Sequence, residues 1–211
     1  MNREEFIKEL KKINISLSNK QLDQLEKFYN LLVEWNQKIN LTRIIEKEEV
    51  YLKHFYDSLT LNRVVDLKNV DTLCDIGTGA GFPGIVLKIA FPNLKVTLVD
   101  SLQKRVNYLN EVIKELELDN IEAIHVRGEE FKGSFDVVTS RAVANIEKLV
   151  NYTMHLISKD GVFVAMKGDI DNELTSEIEK KLNKKYRIIQ IEKFLLPYED
   201  SNRSLIVMKN K

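Results

Sequence analysis

The first third of the chain places its apolar residues at the spacing of α-helices. After Ser18 and Gln21, which stand three positions apart as in a capping box, seven apolar residues fall on one helical face. They are Leu22, Leu25, Phe28, Tyr29, Leu32, Trp35 and Ile39. Asn40 predicts the end of this helix, because asparagine tolerates the left-handed conformation of a C-cap. The pattern predicts helices over residues 3–65, including a further helix from Lys47 to Val65.

From residue 70 onward, short strand-like runs alternate with helical segments. The strand-like runs are Thr72–Ile76, Lys95–Val99, Ile121–Val126, Phe135–Ser140, Val162–Met166, Arg187–Phe194 and Leu205–Met208. The helical segments are Gly84–Phe91, Leu102–Leu116, Ile146–Ile157 and Asn172–Lys184. Strands that alternate with helices predict a parallel sheet with helices on both of its faces.

The last two strands break this alternation. Only six residues, 197–202, separate Leu196 from Arg203, whereas a parallel crossover needs about a dozen or more. The last strand should therefore run antiparallel, in a Rossmann-like α/β sheet of seven strands. We predict two parts, an N-terminal helical extension over residues 1–66 packed on the core and an α/β domain over residues 67–211.

A glycine-rich stretch follows the first predicted strand of the α/β part. Residues 73–84 read Leu-Cys-Asp-Ile-Gly-Thr-Gly-Ala-Gly-Phe-Pro-Gly and hold four of the eight glycines in the protein. A buried strand, a glycine turn and a helix start together form the layout that holds a nucleotide-like ligand at a helix N-terminus. A dinucleotide-binding loop would carry its third glycine where Phe82 stands. Taken alone, the loop leaves the identity of the ligand open.

Two acidic residues frame this loop. Asp75 precedes the glycines, and Asp100 ends the next predicted strand, 25 residues later. That second position lies at the carboxyl edge of the sheet, where a carboxylate can accept hydrogen bonds from a ribose diol. The loop, the second acid and the reversed last strand together resemble the seven-stranded class I methyltransferases that use S-adenosyl-L-methionine (AdoMet).

Composition narrows the possible functions only mildly. Lys+Arg and Asp+Glu both number 32, so a polyanionic partner would have to bind a local basic patch. Cys74 is the only cysteine, which excludes an internal disulfide and a cysteine-rich metal site. The polar N-terminus is unlike a signal peptide, and no apolar run approaches the roughly 20 residues of a membrane span. We therefore expect a cytoplasmic protein that binds no membrane and no metal.

Segments along the whole chain carry a closer resemblance. They are Asn40-Leu41-Thr42, His54-Phe55-Tyr56-Asp57-Ser58, the stretch from Asp75 to Gly84, Val99-Asp100-Ser101 with Lys104 and Arg105, Arg127-Gly128-Glu129-Glu130, Thr139-Ser140-Arg141-Ala142-Val143-Ala144, and Met166-Lys167-Gly168. The Gly-Phe-Pro-Gly and Ser-Arg-Ala-Val-Ala segments are much more specific than a generic methyltransferase loop. Together these segments resemble the ribosomal RNA small subunit methyltransferase G family, also called glucose-inhibited division protein B.

This resemblance implies a bacterial, cytoplasmic enzyme that transfers a methyl group from AdoMet to N7 of guanine 527, in the 530 loop of 16S rRNA. Residues 67–211 would then form the AdoMet-binding methyltransferase domain. The predicted cofactor-binding residues are Gly77, Phe82, Asp100, Gly128, Glu129, Arg141, Asp75 and Gly79. The family usually reads Arg-Ala-Glu-Glu where this chain has Arg127-Gly128-Glu129-Glu130. A backbone contact at Gly128 would survive that change.

No catalytic side chain is expected, because guanine N7 has a free lone pair and its methylation needs no base. His54 and Asp57 are three positions apart on a predicted helix, which favours a helix-surface or interhelix hydrogen bond over proton transfer. Arg141 can pair with the methionine carboxylate, with a substrate phosphate or with a structural acid. The predicted substrate-binding residues are Lys167, Arg203 and His54.

The sequence does not decide which surface would bind RNA. It also leaves alternatives for the substrate. Candidate basic clusters are Lys8, Lys11 and Lys12, and the run Lys180, Lys181, Lys184, Lys185 and Arg187. The expected partner is 16S rRNA or the small ribosomal subunit, bound by a monomer. The alternatives are an AdoMet-dependent methyltransferase for another RNA, a protein or a small molecule, and a nucleotide-binding module with a vestigial site.

Overall fold

A seven-stranded sheet forms the centre of the protein. The computed structural model describes residues 1–141 and 144–211. The strands are β1 (Thr72–Ile76), β2 (Lys95–Asp100), β3 (Ile121–His125), β4 (Phe135–Arg141), β5 (Ile157–Lys167), β6 (Tyr186–Leu195) and β7 (Asn202–Asn210). Their order across the sheet is β3-β2-β1-β4-β5-β7-β6. Because β7 is antiparallel to both β5 and β6, the prediction of a reversed last strand is confirmed.

Helices cover both faces of this sheet, as predicted. The helices of the α/β part are α5 (Gly84–Ala90), α6 (Gln103–Glu115), α7 (Ile146–Thr153) and α8 (Ser176–Leu182). Neighbouring residues of a strand point to opposite faces, so Leu73 and Val137 join the hydrophobic cluster that includes α5 and α6. Cys74 and Val138 join a second cluster, which includes α7 and α8. The two clusters fix the sheet between two helical layers.

The N-terminal extension is helical throughout most of its length. It contains α1 (Arg3–Lys12), α2 (Asn19–Ile39), α3 (Lys47–Glu49), a π-helical turn (Val50–Tyr56), α4 (Asp57–Leu59) and a 3₁₀ turn (Thr60–Arg63). The predicted capping box of α2 is confirmed, since Ser18 accepts from the backbone of Gln21 while the Gln21 side chain accepts from the backbone of Ser18. Asn40 ends α2 with a φ of 48°, in the left-handed region that asparagine tolerates.

The extension shares its hydrophobic core with the sheet. Phe6, Phe28 and Phe55 are fully buried and belong to the same cluster as Ile85 and Leu109 of the α/β part. This packing brings the residues that follow α2 to the carboxyl edge of the sheet. The division into residues 1–66 and 67–211 stays a prediction.

Some predicted boundaries were wrong. The helix expected over Asn172–Lys184 begins only at Ser176, because the Thr175 side chain caps it by accepting from Ile178. β5 begins at Ile157 rather than Val162, and it pairs there with the start of β4. Within residues 1–141 and 144–211, every helix is too short or too polar to cross a membrane.

Candidate active site

A cavity of about 1200 Å³ opens at the edge of the sheet where β1, β2, β4 and β5 end. Ligands of open α/β sheets bind at this carboxyl edge. One side, which we call the loop wall, consists of Gly77, Thr78, Gly79, Ala80, Phe82 and Asp100. The other side, which we call the arginine wall, consists of Lys53, His54, Asp57, Arg141 and Arg203.

The loop wall is a backbone turn anchored to the neighbouring strand. The amides of Gly77 and Thr78 both donate to the carbonyl oxygen of Val99, at 2.8 and 3.1 Å. Gly79 has a φ of 59°, a conformation that glycine adopts without strain. Within the described residues, a Cβ added to Gly79 would approach only the Gly77 oxygen, at 3.9 Å. The backbone of Gly79 is therefore open to the cavity.

Asp75 holds the loop from beneath. Its Oδ2 accepts from the Thr78 hydroxyl at 2.7 Å and from the Gly84 amide at 2.9 Å. Burial raises the pKa of this fully buried carboxyl to about 6, although both hydrogen bonds oppose the rise. Gly84 must lack a side chain, because a Cβ there would lie 2.2 Å from Leu98. Asp75 is thus placed to shape the loop, and its contact with the cofactor stays a prediction.

Asp100 connects the loop to the start of α6. Its Oδ2 accepts from the Gly79 amide at 2.9 Å, and its Oδ1 accepts from the Leu102 amide at 2.9 Å. Arg105 approaches Oδ2 at 3.4 Å. These bonds fix the carboxylate at the cavity surface, where it can still accept from a ligand because each oxygen has more than one lone pair.

A single carboxylate organises the arginine wall. Asp57 Oδ2 accepts from Arg141 Nη1 at 3.0 Å, and Asp57 Oδ1 accepts from Arg203 Nε at 3.0 Å. Arg141 also donates to the carbonyl oxygen of Lys53 at 2.9 Å. The Asp57 side chain is only 8% exposed, so these ion pairs are largely shielded from solvent and are stronger than surface pairs.

His54 lies where the two walls meet. Its ring stacks on Phe82 with centroids 4.4 Å apart. Arg141 Nη2 lies 3.3 Å from His54 Nδ1, and Thr42 Oγ1 lies 3.0 Å from Nε2. A guanidinium can only donate, so Nδ1 is the acceptor and Nε2 carries the proton. Burial, together with the charge of Arg141, lowers the pKa of His54 to about 3, and the ring is neutral near pH 7.

Comparison with known proteins identifies the family. The family model for rRNA small subunit methyltransferase G (GidB) matches residues 21–205. The chain belongs to this family. The ribosomal RNA small subunit methyltransferase G of Bacillus licheniformis is 48% identical over 220 residues, covering 100% of this chain and 91% of its own length. The protein of the same name from Bacillus subtilis is 45% identical over 216 residues, covering 99% and 90%.

Solved structures of other methyltransferases share the fold of this methyltransferase G family member. The mitomycin 7-O-methyltransferase MmcR superposes with a TM-score of 0.63 at 13% identity, over 92% of this chain and 69% of that one. The precorrin-6y C5,15-methyltransferase from Geobacter metallireducens gives a TM-score of 0.55 at 14% identity, over 74% and 88%. The class I methyltransferase fold predicted from the sequence is therefore confirmed.

Lys167 stands apart from the arginine wall but still lines the cavity. It donates to the carbonyl oxygen of Ala144 and forms an ion pair with Glu173 at 2.8 Å. Glu173 in turn accepts from the amide of Ile146, the first residue of α7. Lys167 and Glu173 thus hold Ala144 and the first residue of α7. The role of Lys167 toward a methyltransferase G substrate stays a prediction.

Gly128 and Glu129, two further residues that the family resemblance implies, follow β3 outside the lining of the cavity. A Cβ on Gly128 would lie 2.9 Å from Ile76 and 3.3 Å from Tyr152, so close packing explains the glycine. Glu129 is exposed. Their contact with a cofactor also stays a prediction. Ala142 and Val143, from the family-specific Ser-Arg-Ala-Val-Ala segment, lie outside the described residues.

The basic clusters proposed from the sequence do not line the cavity, although Glu147, the ion-pair partner of Lys181, does. Lys8, Lys11 and Lys12 are on α1, and Lys12 pairs with Glu9. Lys181 on α8 pairs with Glu147. In contrast, sequence reasoning missed the cavity residues Leu41, Thr42, Ile44 and Lys53. Asn40-Leu41-Thr42 is one of the segments that carry the family resemblance, but only the folded chain places Thr42 against His54.

Proposed function

We propose that this protein transfers the methyl group of AdoMet to N7 of a guanine in the 530 loop of 16S rRNA. The observation that carries this proposal is that the loop wall and the arginine wall, which differ in chemistry, line the same cavity. The loop wall offers backbone and a carboxylate, which suit a nucleoside. The arginine wall offers guanidinium groups, which suit phosphate.

The loop wall supports AdoMet as the methyl donor. Asp100 is held by Gly79 and Leu102 at 2.9 Å, in a position to accept from the two ribose hydroxyls. The open side of Gly79 lets a ligand approach the backbone closely. AdoMet would supply an activated methyl group on a sulfonium, and Phe82 would pack against the bound molecule.

The arginine wall supports an RNA acceptor. Arg141 and Arg203 line the cavity in ion pairs with Asp57, and Lys167 lies at the end of β5. The Arg141 guanidinium suits either the methionine carboxylate of the cofactor, as the family resemblance implies, or a substrate phosphate, and we assign it here to the phosphate. These cations would hold phosphates on both sides of a guanine that leaves its stack to enter the cavity. The chain then orients the guanine and excludes water. Orientation of two reactants alone can contribute roughly 7–11 kcal/mol.

The state of His54 agrees with a transfer that needs no base. N7 of guanine would accept the methyl group with its own lone pair as the carbon–sulfur bond of the sulfonium breaks, and it would lose no proton. His54 is neutral, with Nε2–H bonded to Thr42 and Nδ1 bonded to Arg141. We therefore assign His54 a structural role between Phe82 and Arg141. We further propose that the protein acts as a monomer in the cytoplasm, where the small ribosomal subunit is available.

The test is transfer of a tritiated methyl group from AdoMet to small ribosomal subunits from a strain that lacks this enzyme. We expect label at one guanine of the 530 loop, located by chemical cleavage at N7-methylguanine. Subunits from the parent strain, already methylated, serve as the control and should accept little label. Absence of label from the 530 loop would overturn the proposal.

A second measurement distinguishes an RNA acceptor from a protein or a small molecule. Binding to RNA releases counterions, so its affinity falls steeply as salt concentration rises. We expect the KM for subunits to rise at least tenfold between 50 and 200 mM salt, in line with several phosphate contacts. A flat response would favour the alternative of a methyltransferase for another, uncharged substrate.

A further inference from the structure

Asp57 is the one carboxylate that contacts both arginines of the arginine wall among the described residues. It joins three distant parts of the chain, since Arg141 lies 84 positions and Arg203 146 positions away. Asp57 belongs to the N-terminal extension, Arg141 ends β4 and Arg203 lies near the start of β7. A side chain from the extension therefore fixes two side chains from the sheet.

Burial of this carboxylate has an energetic cost that its partners offset. Removing a carboxylate from water is strongly unfavourable unless it is paired and hydrogen-bonded. Both oxygens of Asp57 meet a guanidinium at 3.0 Å, and His54 adds no second positive charge because it is neutral. The group of Asp57, Arg141 and Arg203 keeps one net positive charge beside the cavity.

The bonds to Asp57 leave N–H groups on both arginines for a ligand. A guanidinium has five N–H donors. Arg141 uses three of them for Lys53, Asp57 and His54, and Arg203 uses two for Asp57 and Asn202. Within the described part of the chain, the remaining donors have no protein acceptor. They include one N–H on Nη2 of Arg141 and both on Nη2 of Arg203.

We propose that Asp57 is a positioning residue for methyl transfer, which holds Arg141 and Arg203 so that their remaining donors together grip one phosphate of the RNA substrate. This inference rests on the proposed function. Asp57 does not touch the substrate in this arrangement. It fixes the distance and angle between two phosphate-binding groups, and thereby places the attached guanine against the methyl donor.

The substitution Asp57→Asn distinguishes a positioning role of Asp57 from a purely electrostatic effect on RNA binding. It removes a negative charge and leaves both arginines in place, so charge alone predicts equal or tighter binding of RNA. Loss of positioning predicts a lower kcat instead, because a misplaced reactant reacts slowly even when bound. We expect kcat on small subunits to fall at least 30-fold, with the KM for subunits no more than threefold above that of the wild type.

The matched control is Asp136→Asn. Asp136 also makes two hydrogen bonds, to the Thr72 amide at 2.9 Å and the Thr72 hydroxyl at 2.8 Å, but at the opposite end of the sheet. We expect it to lower Tm and to leave kcat within twofold of the wild type. Calorimetric titration with AdoMet checks both variants, and we expect Kd within threefold of the wild-type value for each.

Two outcomes overturn the inference. A kcat of Asp57→Asn within threefold of the wild type would show that Asp57 positions nothing needed for transfer. A fall in kcat that is matched by loss of AdoMet binding would assign Asp57 to the cofactor site. Failure of the wild type to label RNA would instead overturn the proposed function, and the two failures are therefore distinguishable.

A second variant keeps the inference testable if Asp57→Asn does not fold. Arg203→Gln removes one of the two proposed phosphate-binding groups while leaving the pair of Asp57 and Arg141. We expect kcat divided by the KM for subunits to fall at least tenfold, with the AdoMet Kd unchanged. Activity equal to that of the wild type would overturn the inference. Where both single variants fold, the double variant should lose less than the product of the two single losses, because the residues act as one unit.

Discussion

The loop wall presents mainly backbone from one continuous stretch, whereas the arginine wall presents side chains from three distant parts of the chain. Residues 77–82 follow β1 directly, and Asp100 ends the adjacent strand. The arginine wall needs the extension for Asp57, β4 for Arg141 and β7 for Arg203. Tertiary packing therefore forms the arginine wall, whereas local turn geometry forms most of the loop wall.

Because of this difference, the two walls suit different kinds of ligand. A backbone wall with a fixed carboxylate suits a ligand of constant shape, such as a nucleoside cofactor. A wall of guanidinium groups suits a flexible polyanion, provided that a further residue holds the guanidinium groups in fixed positions. Phe82 connects the two, since His54 stacks on its ring and the Arg141 guanidinium lies 5.2 Å from the ring centroid. The two walls therefore meet at the ring of Phe82.

The largest expected effect is the loss of stability at acidic pH that His54 causes. The folded state keeps the pKa of His54 at about 3, below its ordinary value of 6.5. The unfolded chain therefore takes up a proton at His54 as pH falls below 6.5, and the folded protein does not. The stabilisation by neutral His54 is complete above pH 6.5 and is lost as pH falls toward 3, by up to about 1.4 kcal/mol for each pH unit.

Urea unfolding of the wild type and of His54→Gln, between pH 7.5 and 4.5, measures this loss. The variant loses the stacking on Phe82 at every pH, so the informative quantity is the difference in pH dependence. We expect the wild type to lose about 2–3 kcal/mol more than the variant over this range. Parallel curves for the two proteins would contradict a buried neutral histidine.

The loop wall should respond to pH in the opposite direction through Asp75. Burial raises the pKa of Asp75 to about 6, from a usual 3.8. Its stabilising effect is therefore complete below pH 3.8 and is lost as pH rises to about 6, for a total of about 3 kcal/mol at most. Asp75→Asn should gain stability relative to the wild type between pH 4 and 7, as judged by urea midpoints. A relative loss over that range would show that Asp75 is stabilised as an anion.

The sequence predicted the loop wall far better than the arginine wall. Gly77, Gly79 and Asp100 were identified because strand, turn and strand end follow each other in the chain. The spacing of His54 and Asp57 predicts a helix-surface or interhelix hydrogen bond, whereas in the structure both side chains are buried and contact Arg141 at the end of β4. No local pattern could show this, because the contact depends on how the extension packs across the sheet.

A smaller effect is expected from Asp100→Asn on AdoMet binding. The amide keeps the size of the carboxylate but removes the charge that strengthens its bonds from Gly79 and from a ribose hydroxyl. We expect the AdoMet Kd to rise about 10- to 100-fold, which corresponds to about 1.4–2.7 kcal/mol. Calorimetric titration measures this change, with the exposed Asp119→Asn as the matched control. If subunit binding weakened while the AdoMet Kd stayed constant, the two walls would have been assigned the wrong ligands.

The smallest expected effect comes from Glu173→Gln, which removes the ion pair of Lys167. The glutamine oxygen can still accept from the Ile146 amide, so the start of α7 should stay in place. Lys167 then keeps a charge that no longer has an acidic partner at 2.8 Å. We expect subunit binding to tighten up to threefold at low salt, and the slope of log Kd against log salt to steepen by up to about 0.9, the contribution of one further phosphate contact.

Filter binding of small subunits at several salt concentrations tests this expectation. The matched control is Glu192→Gln, because Glu192 forms an ion pair with Arg63 at 3.0 Å outside the cavity lining. The control should leave both the affinity and the slope unchanged. Weaker binding of Glu173→Gln at every salt concentration would mean that Glu173 orients Lys167, as we propose for Asp57 with its arginines. Carboxylate positioning would then extend from the arginine wall to the Lys167 side of the cavity.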